Sequence, residues 1–479
     1  MIEQTNVALA VPVQIRQVLT ADQAWHYRII PKEVGKADWV FYVDAAANGR
    51  QTASELEVLF GKAILLEPQP TGTIQQALAT YYRREGPDQR PRSVDAGGED
   101  NFLLNLISEA KGIGSSDIHL EAYEERCRVR LRTDGMMVER YVLEKNVYPS
   151  LINKIKITAN LDIAEKRLPQ DGRIFFTGNG GQKFDIRVSI LPTMHGEKVV
   201  LRLLSNDATH IDIHKLGFAR EDLDHFLEGI KRPNGLVLIS GPTGSGKTTT
   251  LYATLKLLNE PLRNILTIED PIEYTLEGIN QSSLKENIGF DFATALKTFL
   301  RQDPDVIMVG EVRDAATATM AVRAALTGHL VLSTIHTNSA WGTVSRLIDM
   351  GIPPFLLAGT LNTTAAQRLV RLLCPHCKAR QPFRESQYPK QFKAYRPVAF
   401  HYVTKGCDAC FFTGYKGRKA VYEVIPIDRE LSGCIKGNVF DVAPLLRERN
   451  IRTLPENAFM LFESGETSLE EVYPLLVSF

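Results

Sequence analysis

The chain has 479 residues, of which 44% are hydrophobic and 23% charged, and its formal net charge at pH 7 is zero. At roughly 150 residues per domain, this length predicts about three domains rather than one hydrophobic core. A balanced charge excludes a global attraction to nucleic acid or anionic lipid, so an anionic partner would need a local basic patch.

The N-terminal stretch carries no signal for export or membrane insertion. It lacks a basic segment before its apolar residues, and Pro12 interrupts those residues. No apolar run elsewhere approaches the ~18 residues that would span a bilayer. The sequence therefore predicts a cytoplasmic protein.

A stretch of linker composition separates an N-terminal domain from the rest of the chain. Residues 84–100 contain two prolines, three glycines and scattered charges, with almost nothing apolar. This composition predicts a flexible linker and assigns residues 1–83 to a domain of their own.

The next segment, residues 101–205, combines helical and strand patterns. Apolar residues at helical spacing run from Phe102 to Ala110, and strand-like alternation follows in "CRVRLR". Two further strand patterns close the segment in "DIRVSILPTMHGEKVVLRLL". Together these patterns predict an α+β middle domain.

The last segment, residues 206–479, alternates apolar strands with helical stretches, which is typical of a parallel sheet covered by helices. Its strongest signal is "GPTGSGKT", Gly241 to Thr248, which follows a buried strand and opens a helix. In a phosphate-binding loop of this form, backbone N–H groups and the helix N-terminus hold phosphate oxygens. Lys247 is expected to reach the β- and γ-phosphates, and the Thr248 hydroxyl to bind Mg²⁺. No guanine-reading NKxD motif is present, which favours ATP over GTP.

Three later strands end in polar clusters. "NILTIEDPIEY" ends in Glu269, Asp270 and Glu273, "VIMVGEVRD" reaches Glu311, and "HLVLSTIHTN" reaches His336. Because the carboxyl ends of parallel strands meet at one edge of a sheet, we expect these clusters to gather around the phosphates. The predicted nucleotide-binding residues are Gly241, Pro242, Thr243, Gly244, Ser245, Gly246, Lys247, Thr248, Thr249 and Asp270.

The two histidines near the last of these strands have different predicted roles. His336 follows the strand and is predicted to contact the γ-phosphate. His329 precedes the strand, which puts it on the order of 20 Å away, near the opposite edge of the sheet. His329 is therefore predicted to be structural.

Two CxxC pairs, Cys374 with Cys377 and Cys407 with Cys410, are separated by a 29-residue spacer. Four thiolates suffice for a closed tetrahedral Zn²⁺ site. "CPHC" alone is also a redox motif, but no strand–helix context precedes it and the second pair completes a metal shell. The pattern predicts a structural zinc lobe at about residues 370–420.

A basic strand in the middle domain raises the question of nucleic-acid binding. Arg126, Arg128, Arg130 and Arg132 alternate along it. No aromatic residues are interleaved with them, as a single-strand groove would require. We expect a solvated face or a subunit contact, and no nucleic-acid partner.

These motifs together resemble those of one family, the ATPases that drive type II secretion and type IV pilus assembly. In family terms, "GPTGSGKTTTLY" is the Walker A motif, "TIEDPIEY" the aspartate box, "RQDPDVIMVGEVRD" the atypical Walker B and "TGHLVLSTIHTN" the histidine box. "AQRLVRLLCPHC" also matches, as do "SSDIHLE", "RTDG" and "RLPQDGRI" in the middle segment. The resemblance is nearly continuous from about residue 100 to 425 and weaker over residues 1–83.

The resemblance implies an α/β protein with a RecA-like P-loop motor domain and a PAS-like α+β middle domain before it. It further implies a small N-terminal α/β docking domain and a zinc lobe inserted in the motor domain. It also implies a homo-hexameric ring in which each ATP lies between motor and middle domains. Arg173 and Arg187 match the family's middle-domain arginines that stabilise charge on the phosphates. The alternative for each is a local ion pair.

The acidic residues need separate roles within this family pattern. Glu311 is expected to hold Mg²⁺, directly or through water. A glutamate of the aspartate box would activate the attacking water, and the sequence leaves Glu269 and Glu273 open, with Glu273 preferred because it follows the proline turn.

The resulting hypothesis is an ATP-hydrolysing motor that uses ATP, Mg²⁺ and Zn²⁺ for pseudopilus or pilus assembly. Its expected partners are an inner-membrane platform protein and a membrane-anchored docking protein that holds it peripherally at the membrane. Two alternatives stay open: an ATP-binding scaffold with negligible turnover, which the Gly310-Glu311 strand ending supports, and a nucleic-acid translocase with a zinc ribbon.

Overall fold

The computed structural model describes residues 9, 11, 15, 18–35, 38–47, 49–82, 92–94, 99–177, 183–204 and 212–477. The chain divides into two compact units, residues 1–92 and 93–479. Most of the predicted linker, and the predicted boundary at residues 205 and 206, lie outside the described residues. Within the described ranges, no helix combines the length and apolar character that a bilayer span requires.

The described part of the first unit is a three-stranded sheet with helices. Its strands are β1 (Ile29–Val34), β2 (Asp38–Asp44) and β3 (Ala63–Gln69). Its helices are α1 (Ala21–Tyr27), α2 (Gly49–Phe60) and α3 (Thr71–Tyr81). Strand β2 pairs antiparallel with β1 and parallel with β3. Fully buried side chains from both element types, such as Phe41 and Leu56, form the core, so the unit is α/β as predicted.

The second unit begins with a seven-stranded sheet, whose first strand starts at the boundary residue Arg92. The strands are β4 (Arg92–Val94), β5 (Ser115–Ala122), β6 (Cys127–Thr133), β7 (Met136–Leu143), β8 (Gln170–Thr177), β9 (Lys183–Thr193) and β10 (Gly196–Leu204). Their order in the sheet is β4-β7-β6-β5-β10-β9-β8. The helices are α4 (Glu99–Gly112) and α5 (Tyr148–Thr158). Strand β4 and the start of α4 fall within the predicted linker, which is therefore partly structured.

Alternation along these strands produces one apolar face and one polar face. On β6, Val129 and Leu131 are buried, and they belong to the same core as Leu106 of α4 and Ile155 of α5. The arginines between them point to the opposite side, as the period of two requires. This arrangement confirms the predicted α+β middle domain.

The C-terminal part of the second unit is built on a second sheet. Its strands are β11 (Gly235–Ser240), β12 (Ile265–Glu269), β13 (Asn280–Ser283), β14 (Val306–Val309), β15 (Leu330–Ile335), β16 (Leu361–Leu373) and β19 (Tyr415–Pro426). Their order in the sheet is β13-β12-β14-β15-β11-β16-β19. The helices are α6 (Arg220–Lys231), α7 (Lys247–Leu258), α8 (Phe292–Phe299), α9 (Ala315–Leu326), α10 (Gly342–Asp349), α11 (Pro354–Thr360), α12 (Arg429–Lys436), α13 (Ala443–Glu448), α14 (Leu454–Glu463) and α15 (Leu469–Val477).

From β13 across to β16, all neighbouring strands in the sheet pair parallel, and β19 pairs antiparallel with β16 at the edge. Every residue of β11, β14 and β15 is buried, as expected for strands covered by helices on both faces. The predicted parallel sheet is thus confirmed.

A lobe is inserted between β16 and β19. It contains the antiparallel hairpin of β17 (Ala379–Pro382) and β18 (Phe400–Val403). Helix α14 supports the lobe, because Phe459 and Phe462 pack in one cluster with Tyr388 and Phe383. The insertion matches the predicted position of the cysteine-bearing lobe.

Candidate functional site

The phosphate loop connects buried strand β11 to helix α7. Gly241, Gly244 and Gly246 have φ values of +151°, +80° and +88°, which residues other than glycine rarely adopt. A Cβ on Gly241 would also lie 2.5 Å from the carbonyl oxygen of Gln367. The glycines therefore allow the tight turn that brings the N-terminus of α7 to the carboxyl edge of the sheet.

Lys247 is the first residue of α7 and turns back toward the loop. Its Nζ donates hydrogen bonds to the carbonyl oxygens of Gly241 at 2.7 Å and Pro242 at 3.1 Å. Burial lowers the pKa of this ammonium group, and the carboxylate of Glu311 opposes that shift. Thr248 is exposed beside it at the helix N-terminus.

The three predicted strand-end clusters meet in the structure. Glu311 Oε1 lies 2.9 Å from His336 Nε2, and its Oε2 accepts a hydrogen bond from Arg313 Nε at 2.7 Å. The same guanidinium donates from Nη1 to Asp270 Oδ2 at 3.1 Å. Residues that follow β12, β14 and β15 are thus connected in one polar network, as the sheet topology predicted.

The phosphate loop and the strand ends line one cavity of about 810 Å³. The predicted site residues that line it are Thr243, Gly244, Ser245, Gly246, Lys247, Thr248, Thr249, Glu269, Asp270, Glu273, Glu311 and His336. Such a cavity combines a helix N-terminus and a lysine with acidic and basic groups at strand ends. It therefore has the donors for a polyphosphate and carboxylates beside them.

The two aspartate-box glutamates have different surroundings. Glu269 is 3% exposed, and its carboxylate accepts hydrogen bonds from Thr267 Oγ1 at 2.6 Å, from Gln281 Nε2 at 3.0 Å and from the Tyr252 hydroxyl. Glu273 has a side chain that is 38% exposed. The carboxylate of Glu269 is thus held by neighbours, whereas that of Glu273 is accessible from the cavity.

The two candidate arginines of the middle domain also differ. Arg187 Nη1 lies 3.1 Å from Glu273 Oε2, and its Nη2 donates to the carbonyl oxygen of Ile272 at 2.7 Å. Arg173 stands opposite Arg187 on the neighbouring strand but donates from Nε to both carboxylate oxygens of Asp185, at 2.6 and 2.7 Å. The structure brings Arg187 to the aspartate box and holds Arg173 in a local ion pair.

Two charged residues that belong to none of the predicted sites hold the loop after His336. Glu423 on β19 is buried and accepts the N–H of Ala340 and the N–H of Leu454, each at 2.8 Å. Arg368 on β16 donates to the carbonyl oxygen of Asn338 at 3.0 Å. A signal for Glu423 exists in the sequence, because one acid interrupts the apolar run "AVYEVIPI".

The cavity wall also includes a residue of the middle domain. Asp134, in the turn between β6 and β7, lines the cavity and accepts the N–H of Gly417 at 2.8 Å. Arg418 lies beside it, with Nε 3.7 Å from Asp134 Oδ1. In the sequence, Asp134 belongs to the "RTDG" stretch, for which no site role was predicted, so its position in the cavity wall emerges from the fold alone.

His329 lies at the opposite edge of the sheet from this cavity, just before β15. Its Nδ1 is 2.9 Å from the carbonyl oxygen of Ala324 and 3.1 Å from Thr327 Oγ1. These contacts fasten the end of α9 to the start of β15, as expected for a structural histidine.

The four predicted cysteine ligands form one cluster in the lobe. Their sulfur atoms all lie within 4.8 Å of one another. Cys374 to Cys407, Cys377 to Cys410 and Cys407 to Cys410 are each 3.8 Å apart, far beyond a disulfide bond. Four thiolates around one Zn²⁺ at about 2.3 Å in tetrahedral geometry are spaced at about that distance, so the cluster fits zinc.

The basic strand of the middle domain carries its own counter-charges. Arg128 Nε and Arg130 Nη2 lie 2.9 and 2.7 Å from the carboxylate of Glu121. Burial raises the pKa of Glu121, but hydrogen bonds from Arg130, Arg128 and Lys198 outweigh it and lower the pKa to about 2. These arginines are engaged within the sheet, which disfavours a nucleic-acid surface here.

Comparison with known proteins gives one consistent result. Residues 94–474 match the family model described as type II/IV secretion system protein. The type II secretion system ATPase E of Vibrio cholerae is 45% identical over 378 residues, covering 77% of this chain and 74% of that protein. The type IV pilus assembly ATPase PilB of Myxococcus xanthus is 41% identical over 492 residues, covering 93% and 85%.

Solved structures support the same fold. The pilus retraction motor PilT with bound ADP is similar at 27% identity and a TM-score of 0.53, covering 78% of this chain and 96% of that one. The ATPase DotB of Legionella pneumophila matches with a TM-score of 0.62 at 22% identity, covering 81% of this chain and 99% of that one.

Proposed function

Because the chain belongs to the type II/IV secretion system protein family, we propose that it is an ATP-hydrolysing motor for assembly of type II secretion pseudopili or type IV pili. The observation that carries the proposal is the network of Glu311 with His336, Arg313 and Asp270 beside the phosphate loop. If β14 were only a core strand whose end faces solvent, contacts among acidic and basic side chains from the ends of three strands would not be expected.

The phosphate loop and Lys247 bind the phosphates of ATP in this proposal. Thr248 and Glu311 would hold Mg²⁺, which would offset negative charge on the phosphates. Lys247 exchanges its present carbonyl acceptors for phosphate oxygens. His336 contacts the γ-phosphate and is held in place by Glu311.

Glu273 is the proposed general base that takes a proton from the attacking water. Its exposure to the cavity supports this choice over Glu269, whose carboxylate is enclosed by hydrogen-bond donors. Arg187, whose Nη1 lies 3.1 Å from Glu273 Oε2, is the proposed group that stabilises charge developing on the phosphates. Arg173 takes the same role only if its ion pair with Asp185 opens.

In this proposal, Cys374, Cys377, Cys407 and Cys410 would hold one structural Zn²⁺. Two backbone N–H groups, from Cys407 and Gly414, point at Cys410 Sγ at 3.2 and 3.3 Å, which suits a thiolate acceptor. The four cysteines lie at the base of the inserted lobe, where the chain leaves β16 and returns to β19, so a bound metal would join these two segments.

The family pattern also supports the proposed assembly. Six copies form a cytoplasmic ring, with ATP between motor and middle domains, and rotation of the middle domain is passed to an inner-membrane platform protein. The N-terminal unit binds a membrane-anchored partner, which places the ring peripherally at the inner membrane.

The proposal is tested by measuring ATP binding and turnover of the full chain with Glu311→Gln. We expect slow wild-type turnover that rises with oligomerisation and does not respond to DNA. The variant should keep ATP binding and lose hydrolysis, whereas Glu228→Gln, an exposed acid on α6, should behave as wild type.

Other results would favour the alternatives. Negligible wild-type turnover with tight ATP binding would indicate a nucleotide-binding scaffold. Turnover stimulated by DNA would indicate a translocase. Near wild-type turnover in Glu311→Gln would contradict the assigned role of that residue.

A further inference from the structure

Positive charge is concentrated in the inserted lobe. Residues 378–406, between the two CxxC pairs, contain seven lysines and arginines and one acidic residue. Since the whole chain is neutral, the rest of it carries an excess of six acidic residues. The local basic patch that a neutral protein needs for an anionic partner is therefore present, and it lies on this lobe.

Most of these basic side chains face solvent without a counter-charge. Arg380, Arg384, Lys390, Lys393 and Lys405 are exposed, and none forms an ion pair with a residue that the structure describes. Arg396 has one distant partner, Glu463, at 3.9 Å, and its side chain is 69% exposed. On the middle-domain strand, by contrast, the arginines are paired with buried acids.

Three of these cations line a groove, which we call the basic groove. Its lining includes Lys390, Lys393, Arg396, Tyr388, Phe392 and Tyr395, and its volume is about 750 Å³. Glu385 is the single acid among the described lining residues. The groove therefore offers ammonium and guanidinium groups beside aromatic surface.

The aromatic residues of the groove pack against helix α14. The rings of Tyr388 and Phe392 are 5.3 Å apart and lie 6.2 and 6.0 Å from the ring of Phe459 on α14. These contacts give the groove a shape that does not depend on a bound partner. Preorganisation of this kind lowers the entropic cost of binding.

We propose that the basic groove binds an acidic, extended segment of a partner protein. The proposal rests on the proposed function, in which the motor must contact other proteins of an assembly machine. A segment that alternates acidic and apolar side chains matches the cations of the lining and the exposed ring of Tyr395 beside them. Electrostatic complementarity of this type sets specificity and speeds association.

Two other anionic partners fit the groove less well. Single-stranded nucleic acid needs successive exposed ring faces, but Tyr388 is buried and Phe392 is packed within the lobe, which leaves Tyr395, at 45% exposed. A bilayer surface is flat on this scale, whereas Lys390, Lys393 and Arg396 line a concavity.

The test measures binding of a labelled peptide of alternating glutamate and tyrosine to the full, zinc-loaded chain by fluorescence anisotropy. Roughly ten residues at about 3.3 Å each are enough to cross the groove. The groove variant combines Lys390→Ala, Lys393→Ala and Arg396→Ala. A matched variant, Arg220→Ala with Lys231→Ala and Lys436→Ala, removes the same charge from exposed positions outside the lobe.

We expect the groove variant to bind the peptide at least about tenfold more weakly, with the matched variant unchanged and binding reduced by salt. The same peptide with glutamine for glutamate should not bind. Retained zinc content and near-ultraviolet circular dichroism show that the groove variant is folded.

Three outcomes would overturn the proposal: no binding of the acidic peptide to the wild type, equal binding by both variants, or groove-dependent binding only of phosphatidylglycerol vesicles or single-stranded DNA. Basal ATP turnover is measured in the same samples and should be equal in all three proteins. Absent turnover in the wild type would count against the motor function alone, because peptide binding is scored independently of it.

Discussion

Glu311 lines the cavity of the phosphate loop although it lies beyond the end of its strand. Strand β14 ends at Val309, and Gly310 follows it. The N–H of Gly310 donates a hydrogen bond to the carbonyl oxygen of Ile268 at 2.8 Å, and its carbonyl oxygen accepts one from Thr334 Oγ1 at 2.7 Å. These bonds fix the backbone from which Glu311 extends. The acid is therefore displaced along the chain but still reaches His336, which favours a working site over a disabled one.

Arg313 and Asp314 have distinct positions next to this acid. Arg313 connects Glu311 to Asp270 and so joins the ends of two strands. Asp314 instead caps α9, because its Oδ1 accepts the N–H of Thr317 at 2.8 Å. Only the first of the two belongs to the site.

A buried acid away from the site predicts how stability depends on pH. Asp222 on α6 is 4% exposed, and its carboxylate accepts a hydrogen bond from Asn457 Nδ2 at 3.0 Å. Burial raises the pKa of Asp222 to about 7, against the opposing effects of Arg452 and Asn457. In the unfolded chain, this carboxyl group loses its proton above its ordinary pKa of about 4. The folded chain therefore keeps this proton at pH values where the unfolded chain has released it.

Because the pKa is raised on folding, the stability from this proton is full at low pH and is lost as pH rises through about 7. We expect the wild type to lose about 1 kcal/mol of unfolding free energy between about pH 6 and pH 8 through this group. Asp222→Asn should flatten that part of the profile in chemical denaturation, and Asp224→Asn, exposed on the same helix, should not. An unchanged profile in Asp222→Asn would refute the assignment.

At the scale of elements, the sequence predicted which strand ends meet at the cavity, but it did not predict which side chains form hydrogen bonds there. Apolar runs followed at once by acids or a histidine are local patterns, and the parallel sheet brings such ends together whatever their sequence separation. The enclosure of Glu269 depends on Tyr252, Thr267 and Gln281, which come from three elements. No local pattern encodes that convergence, which is why the sequence left Glu269 and Glu273 undecided.

The inserted lobe shows the same limit. Cysteine spacing predicted its position and its four ligands, because metal ligation imposes a short-range signature. Its support by α14 depends on Phe459 and Phe462, far along the chain from Phe383. That contact forms because the chain returns to the lobe after β19, and no local sequence pattern indicates this return.

Removal of a cysteine ligand should therefore affect the lobe and spare nucleotide binding. The expected result for Cys374→Ser is loss of bound zinc, a lower thermal midpoint and proteolytic cleavage within residues 378–406, since structural zinc contributes folding energy directly. Binding of a fluorescent ATP analogue should persist, because the phosphate loop lies between β11 and α7. Cys434→Ser, at an isolated half-buried thiol, is the control and should keep its zinc. Unchanged zinc content in Cys374→Ser would show that the cluster is not the metal site.

At the scale of the second unit, the middle and motor domains meet on both sides of the cavity. Arg187 contacts Ile272 and Glu273 on one side, and Asp134 contacts Gly417 on the other. A change in the orientation of the middle domain would alter these contacts. In the proposed motor, this would link the candidate base and a wall of the cavity to domain orientation, and so hydrolysis to movement.

This coupling predicts different consequences for the two middle-domain arginines. Arg187→Ala should lower turnover by about three orders of magnitude while nucleotide binding is largely kept, because arginines of this kind act on charge in the transition state. Arg173→Ala should have a smaller effect, because Asp185 already engages its guanidinium. Steady-state turnover and equilibrium binding of an ATP analogue separate the two effects.

Arg126→Ala, at an arginine that is 56% exposed in the same domain, serves as the control. Equal losses in Arg187→Ala and Arg173→Ala would mean that the ion pair with Asp185 opens during turnover and that both arginines reach the phosphates. Full activity in Arg187→Ala would instead make its contact with Glu273 a simple domain contact, and the link between domain orientation and hydrolysis would then have to run through Asp134.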